Sequence, residues 1–141
     1  MAILSFGLWS FCFYLKPSAF PPSAFFFIFA SMKYLIVGLG NPGEQYEKTR
    51  HNAGFLFLDS LASELGVFLV NQPKFQGLFA EGKIGSERVM LLKPCTFMNR
   101  SGESVGKVAR YYKLLPEEIL VVHDELDFNP GSVRLKKDGG H

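Results

Sequence analysis

The stretch that most restricts the fold is residues 34–54, YLIVGLGNPGEQYEKTRHNAG. It opens as an apolar, β-rich run of the length of a buried strand, which Gly38, Gly40, Asn41, Pro42 and Gly43 break into a tight polar turn. Tyr46, Thr49, Arg50, His51 and Asn52 follow, a cluster of side chains that bind or titrate. Phe55, Leu58, Leu61, Ala62 and Leu65 then recur at helical spacing, and Gly66 stands where a glycine ends a helix. His51 and Asn52 therefore fall at or just before the helix start. A strand, a polar turn and a helix in this order belong to a sheet covered by helices.

The rest of the chain extends the pattern. Residues 67–70 read as a strand, Asn71-Gln72-Pro73 as a turn, and 75–84 as a strand joined through Gly85-Ser86-Glu87 to a hairpin partner over 88–92. Pro94 ends that strand, and residues 96–100 form a loop carrying Phe97 and Met98. A second helix is expected from Ser101 as N-cap, with Val105, Val108, Ala109 and Tyr112 on one face. Pro116-Glu117-Glu118 resets the chain. Residues 119–122 contain no polar position, as in a strand buried on both faces, and they stop at His123-Asp124-Glu125. Asn129-Pro130-Gly131 makes a further turn, and residues 132–136 alternate as a last strand. The expected class is α/β, a single globular domain with a twisted mixed β-sheet flanked by helices.

Residues 1–31 differ from everything after them. They hold eight of the fifteen phenylalanines and a single charge, Lys16. The uncharged run at 2–15 is 14 residues long, short for a membrane-crossing helix, and no basic segment precedes it as in an export signal. The expected division is a Phe-rich hydrophobic extension over 1–31, outside the fold and read through from an early start codon, followed by the folded domain over 32–141. No stable membrane contact is expected.

Asn41, Asn99 and Asp124 each lie just beyond the C-terminal end of an expected strand, the edge at which open α/β sheets bind ligands, and His51 falls beside them. A histidine paired with a carboxylate activates water, because the carboxylate fixes the imidazole tautomer and stabilises the imidazolium that forms. No serine or cysteine occupies a nucleophile-elbow pattern, so direct attack by water is favoured over an acyl-enzyme. Two asparagine amides can donate to a developing oxyanion, which suits acyl-group hydrolysis. Cys12 and Cys95 are the only cysteines and show no metal-ligand spacing, so neither a zinc site nor a disulfide framework is expected.

Two other classes compete. Gly38-Leu39-Gly40-Asn41-Pro42-Gly43 fits the GxGxxG dinucleotide fingerprint, although the helix opens about eight residues too late for it and Asp59 falls within that helix instead of at a strand tip. A non-catalytic RNA-binding module would use Arg50, Lys93, Arg100, Lys107, Arg110, Arg134, Lys136 and Lys137 as a phosphate-tracking surface. The net charge of +2 means that any such binding comes from a local patch.

Taken together, GLGNPG at 38–43, Tyr46, TRHNAG at 49–54, KP-x-TFMN-x-SG at 93–102 and HDELD at 123–127 with Pro130-Gly131 resemble the bacterial-type peptidyl-tRNA hydrolases, in order and with consistent spacing over 32–141. The resemblance implies hydrolysis of the ester between a peptide and the 3′ ribose of tRNA, without metal or cofactor, by a cytoplasmic monomer whose partner is peptidyl-tRNA. It implies His51 as general base, Asp124 as its supporting carboxylate, and Asn41 and Asn99 around the scissile acyl group. Asn41 is further tied to preference for N-blocked substrates, and Tyr46, Phe97 and Met98 line the crevice. Members of the family continue with a GGHNG motif and further elements. Gly139-Gly140-His141 aligns with the residues ahead of that motif, so the chain is expected to be C-terminally truncated and of low activity as it stands.

Overall fold

The computed structural model describes residues 2–6, 33–46, 52–124 and 132–137. Seven strands are found among them: β1 (Ala2–Phe6), β2 (Lys33–Gly38), β3 (Val70–Gln72), β4 (Gly77–Ile84), β5 (Glu87–Pro94), β6 (Ile119–Asp124) and β7 (Val133–Lys137). Helix α1 (Ala53–Leu65) follows β2, and α2 (Ser101–Tyr112) follows β5. The strands form one sheet in the order β3-β4-β5-β2-β6-β1-β7. β5, β2, β6 and β1 run parallel, while the β3–β4, β4–β5 and β1–β7 pairs are antiparallel. The sheet is mixed, as expected from a hairpin set among strand–helix units.

Alternation along β2 gives each helix its own core. Leu35 and Val37 join Met90, Leu92, Val121, Phe75 and Phe79 under Val105, Val108 and Tyr112 of α2. Ile36 joins Leu91 and Val122 under Leu58, Leu61 and Ala62 of α1. A strand sandwiched in this way has no solvent face, which is why the runs at 34–37 and 119–122 read as uninterrupted apolar sequence. Full burial of each such Leu or Val side chain contributes about 1.5–3 kcal/mol. Gly66 ends α1 in the left-handed region at φ 67°, where its N–H donates to Ser63 O and the Val67 N–H donates to Ala62 O.

Several boundaries differ from expectation for identifiable reasons. Pro73 begins a helical turn over Pro73–Phe75 that buries Phe75, and Gln76 then turns left-handed at φ 53°. The chain reversal is thereby displaced, so that β3 occupies Val70–Gln72 instead of 67–70 and β4 starts at Gly77. Ser101 is the first residue of α2 and not its cap, because the preceding turn over Met98–Arg100, closed by Arg100 N–H donating to Phe97 O, already coils into the helix. β6 continues through His123 and Asp124, which pair with Ser5 and Phe6 of β1. Of the segment expected to stand outside the fold, Ala2–Phe6 pairs within the sheet, and residues 7–31 lie outside the described residues. The apolar segment Ala2–Phe6 offers backbone donors and acceptors to β6 on one side and β7 on the other, and it occupies a place in the sheet.

Candidate active site

The parallel strands β2, β5 and β6 end at the same edge of the sheet, where the described segments after β2 and β5 meet. The first turn of α1 is pressed onto the ends of β2 and β6. Leu39 N–H donates to Val122 O at 2.9 Å. A Cβ on Gly54 would stand 2.4 Å from both of those atoms, so only glycine allows the helix to approach so closely. One turn away, a Cβ on Gly40 would lie 2.7 Å from Asn52 Oδ1 and 2.8 Å from Phe55 Cγ. Gly38, Gly40 and Gly54 thus serve backbone-to-helix packing. α1 opens at Ala53, ten residues past Gly43, so the turn does not lead into a helix N-terminus as a dinucleotide fingerprint requires.

Asn41 is held from three directions. Its N–H donates to Asn52 Oδ1 at 2.8 Å, and Asn52 Nδ2 donates back to Asn41 O at 3.1 Å. Its own Oδ1 accepts the Met98 N–H at 3.2 Å, joining loops 57 residues apart. Because the backbone partner can only donate, the amide orientation is determined, and Nδ2 is the end directed away from Met98. Asn52 is buried, at 3% exposure, and makes no cap bond to α1 although it stands at the N-cap position. Its amide is given over to Asn41.

Five of the remaining residues expected at the site are among the described residues. Tyr46, half-buried, closes the turn Glu44–Tyr46 by donating its N–H to Gly43 O. Met98 is half-buried and Asn99 exposed within the turn Met98–Arg100, and the Phe97 side chain before it is 62% exposed. Asp124 is half-buried and forms the last residue of β6 instead of lying beyond it, with the adjacent His123 Nδ1 2.6 Å from its carbonyl oxygen. His51, Thr49, Arg50 and residues 125–131 lie outside the described residues, as do Gly139, Gly140 and His141. The structure therefore joins Asn41 to the loop carrying Met98 and Asn99, and places Asp124 on the same edge.

Among the described basic residues considered for an RNA surface, Arg100 and Lys93 are engaged by carboxylates. Arg100 is paired with Glu103 at 2.9 and 3.1 Å, which raises the guanidinium and lowers the carboxyl through their hydrogen bonds. Lys93 reaches both oxygens of Asp59. Among the described residues no three His, Cys, Asp or Glu side chains cluster as a metal would need, and no helix is long and apolar enough to cross a membrane.

Comparison with known proteins agrees with this architecture. The family model described as peptidyl-tRNA hydrolase matches residues 35–141. The peptidyl-tRNA hydrolase of Delftia acidovorans is 60% identical over 107 residues, covering 76% of this chain and 52% of the relative. That of Bordetella parapertussis is 58% identical over 107 residues, covering 76% and 50%. The crystal structure of peptidyl-tRNA hydrolase from Acinetobacter baumannii superposes with a TM-score of 0.75 at 55% identity, over 79% of this chain and 57% of that one. The chain spans about half the length of the curated relatives it matches. Since the match takes in most of the chain, including both helices, Asn41 and the loop carrying Met98 and Asn99, the chain belongs to the peptidyl-tRNA hydrolase family.

Proposed function

We propose that this chain carries the water-activating half of a hydrolase that cleaves the ester between a peptide and the 3′ ribose of tRNA. In this reading His51 takes a proton from water as its oxygen attacks the ester carbonyl. Asp124 holds the imidazole in its basic form, and the resulting imidazolium returns the proton to the departing ribose oxygen. Asn41 Nδ2 donates to the oxyanion that develops on the carbonyl. Asn99, Met98, Phe97 and Tyr46 bound the crevice that receives the acyl group and the tRNA end. The protein acts in the cytoplasm as a monomer, without metal or cofactor.

The observation that carries this reading is the hydrogen bond from the Met98 N–H to Asn41 Oδ1. It aims the donor end of an asparagine amide and at the same time fixes the position of the loop bearing Asn99.

The test measures release of N-acetyl-amino acid from tRNA by the purified chain, and by the chain completed with the C-terminal half of the Delftia relative. His51→Ala in the completed protein should lower turnover by about 10²–10⁴-fold with tRNA binding retained. Asp124→Asn should lower it as well. Near-normal turnover in both variants would place the chemistry elsewhere, and tRNA binding with no turnover in the completed parent would favour a non-catalytic RNA-binding module.

A further inference from the structure

We propose that Lys93 and Asp59 are positioning residues, a brace that holds the Asn41 loop and the loop bearing Met98 and Asn99 in register across the crevice; this rests on the hydrolase reading above. Asn52, Phe55 and Asp59 follow one another at spacings of three and four along α1, which places them on one face. Each grips a different part of the site. Asn52 exchanges two hydrogen bonds with the Asn41 backbone. The Phe55 ring lies against Gly40, whose Cβ, if present, would be 2.8 Å from Phe55 Cγ. Asp59 receives Lys93 Nζ on both carboxylate oxygens, at 2.7 and 2.9 Å, and the same ammonium stands 4.9 Å from the centre of the Phe55 ring.

Lys93 is the next-to-last residue of β5 and leads directly into the second loop. Beyond it Cys95 N–H donates to Gln76 O at 2.8 Å, and Met98 N–H closes the circuit on Asn41 Oδ1. Contacts therefore run from α1 to Asn41, across to Met98, back along the loop to Lys93, and from Lys93 to α1 again. Without the Lys93–Asp59 link, the second loop keeps its tie to Asn41 but loses its tie to the helix that holds Asn41. The Lys93 side chain is only 12% exposed, and the ring and carboxylate beside it engage its charge. That arrangement suits an internal strut better than a phosphate contact, which needs an accessible ammonium.

The test uses Lys93→Met, Asp59→Asn and Lys93→Arg in the 141-residue chain. Amide hydrogen exchange is followed at Met98, whose N–H donates to Asn41, and at Val89 and Leu91 within β5. Lys93→Met and Asp59→Asn should each accelerate exchange at Met98 by at least about tenfold while Val89 and Leu91 are unchanged, since a local brace opens locally. Lys93→Arg should restore most of the protection. In the completed enzyme both neutral variants should lower kcat by about tenfold to 10²-fold with little change in KM, because a small misplacement of the reacting groups is costly while the tRNA contacts remain.

Unchanged exchange at Met98, or equal acceleration at all three amides, would overturn the brace. So would opposite effects on KM, with Lys93→Met raising it and weakening its salt dependence while Asp59→Asn lowers it, since that pattern marks a phosphate contact. The exchange measurement needs no turnover, so a failure of the hydrolase reading leaves this result decisive.

Discussion

Asn52 stands where an asparagine ordinarily accepts hydrogen bonds from the first turn of its own helix, yet both ends of its amide are spent on the backbone of Asn41. An aspartate of the same shape keeps one acceptor for the Asn41 N–H but turns an oxygen toward Asn41 O, where a donor is required. Buried and facing a carbonyl, that carboxyl should titrate above the ordinary aspartate value of about 3.9. Its protonated form can still donate, so the contribution is present at low pH and lost as pH rises through the folded-state value. Asn52→Asp should therefore be less stable than the parent by about 1–3 kcal/mol at pH 8, with a deficit that shrinks toward pH 4. Urea unfolding of both chains at the two pH values measures this, and a deficit independent of pH would show that the second bond does not matter. From sequence, Asn41 and Asn99 were accessible as polar residues past strand ends. The diverted role of Asn52 was not, because an asparagine before a helix is indistinguishable from an ordinary cap, and Lys93 and Asp59 are joined only in space.

At the scale of elements, periodicity served where packing alone sets the structure. α1 with its terminal glycine, the doubly buried β6 and the hairpin about Gly85-Ser86 all follow from apolar spacing and turn residues. It failed where a turn was recruited by a buried side chain, as when Phe75 drew Pro73–Phe75 into a helical turn and displaced β4. The last turn of α2 shows a link of another kind. Tyr112 Oη donates to Glu81 Oε1 on β4 at 2.8 Å, and Glu81 is paired in turn with Arg88 of β5. Burial raises the Glu81 carboxyl, but hydrogen bonds from Arg88 and Tyr112 outweigh this and hold it below the usual value. Burial, together with the Glu81 carboxylate, pushes the Tyr112 phenol up to about 12. An unfolded tyrosine loses its proton near about pH 10, so between there and about pH 12 the native state binds the extra proton and stability falls as pH rises. Thermal unfolding from pH 9 to 11.5 should show this decline in the parent, and Tyr112→Phe should reduce its slope. Equal slopes would mean that the Tyr112–Glu81 contact is not maintained in solution.

Over the whole molecule, the sheet is completed at one side by β1, inserted between β6 and β7. Nothing in its sequence announced this, because a strand with no local turn partner carries no register signal and its neighbours lie more than a hundred residues away. β7 pairs with β1 and with no other described strand. Deleting residues 1–31 should lower the melting temperature and abolish exchange protection across Val133–Lys137, while the β4–β5 hairpin keeps its own. An unchanged melting temperature would show that the inserted strand adds nothing to stability. The central strand has a different dependence. Both partners of β2 are parallel to it, and Ile36 meets Leu91, which is synthesised fifty-five residues later. At a synthesis rate of about 5–20 residues per second, β2 emerges from the ribosome with its apolar run intact and waits roughly 3–11 s for β5 to be made. Until then both edges of this strand are open, as is the face that α2 later covers, so for this protein the interval of greatest risk of aggregation comes before the fold exists.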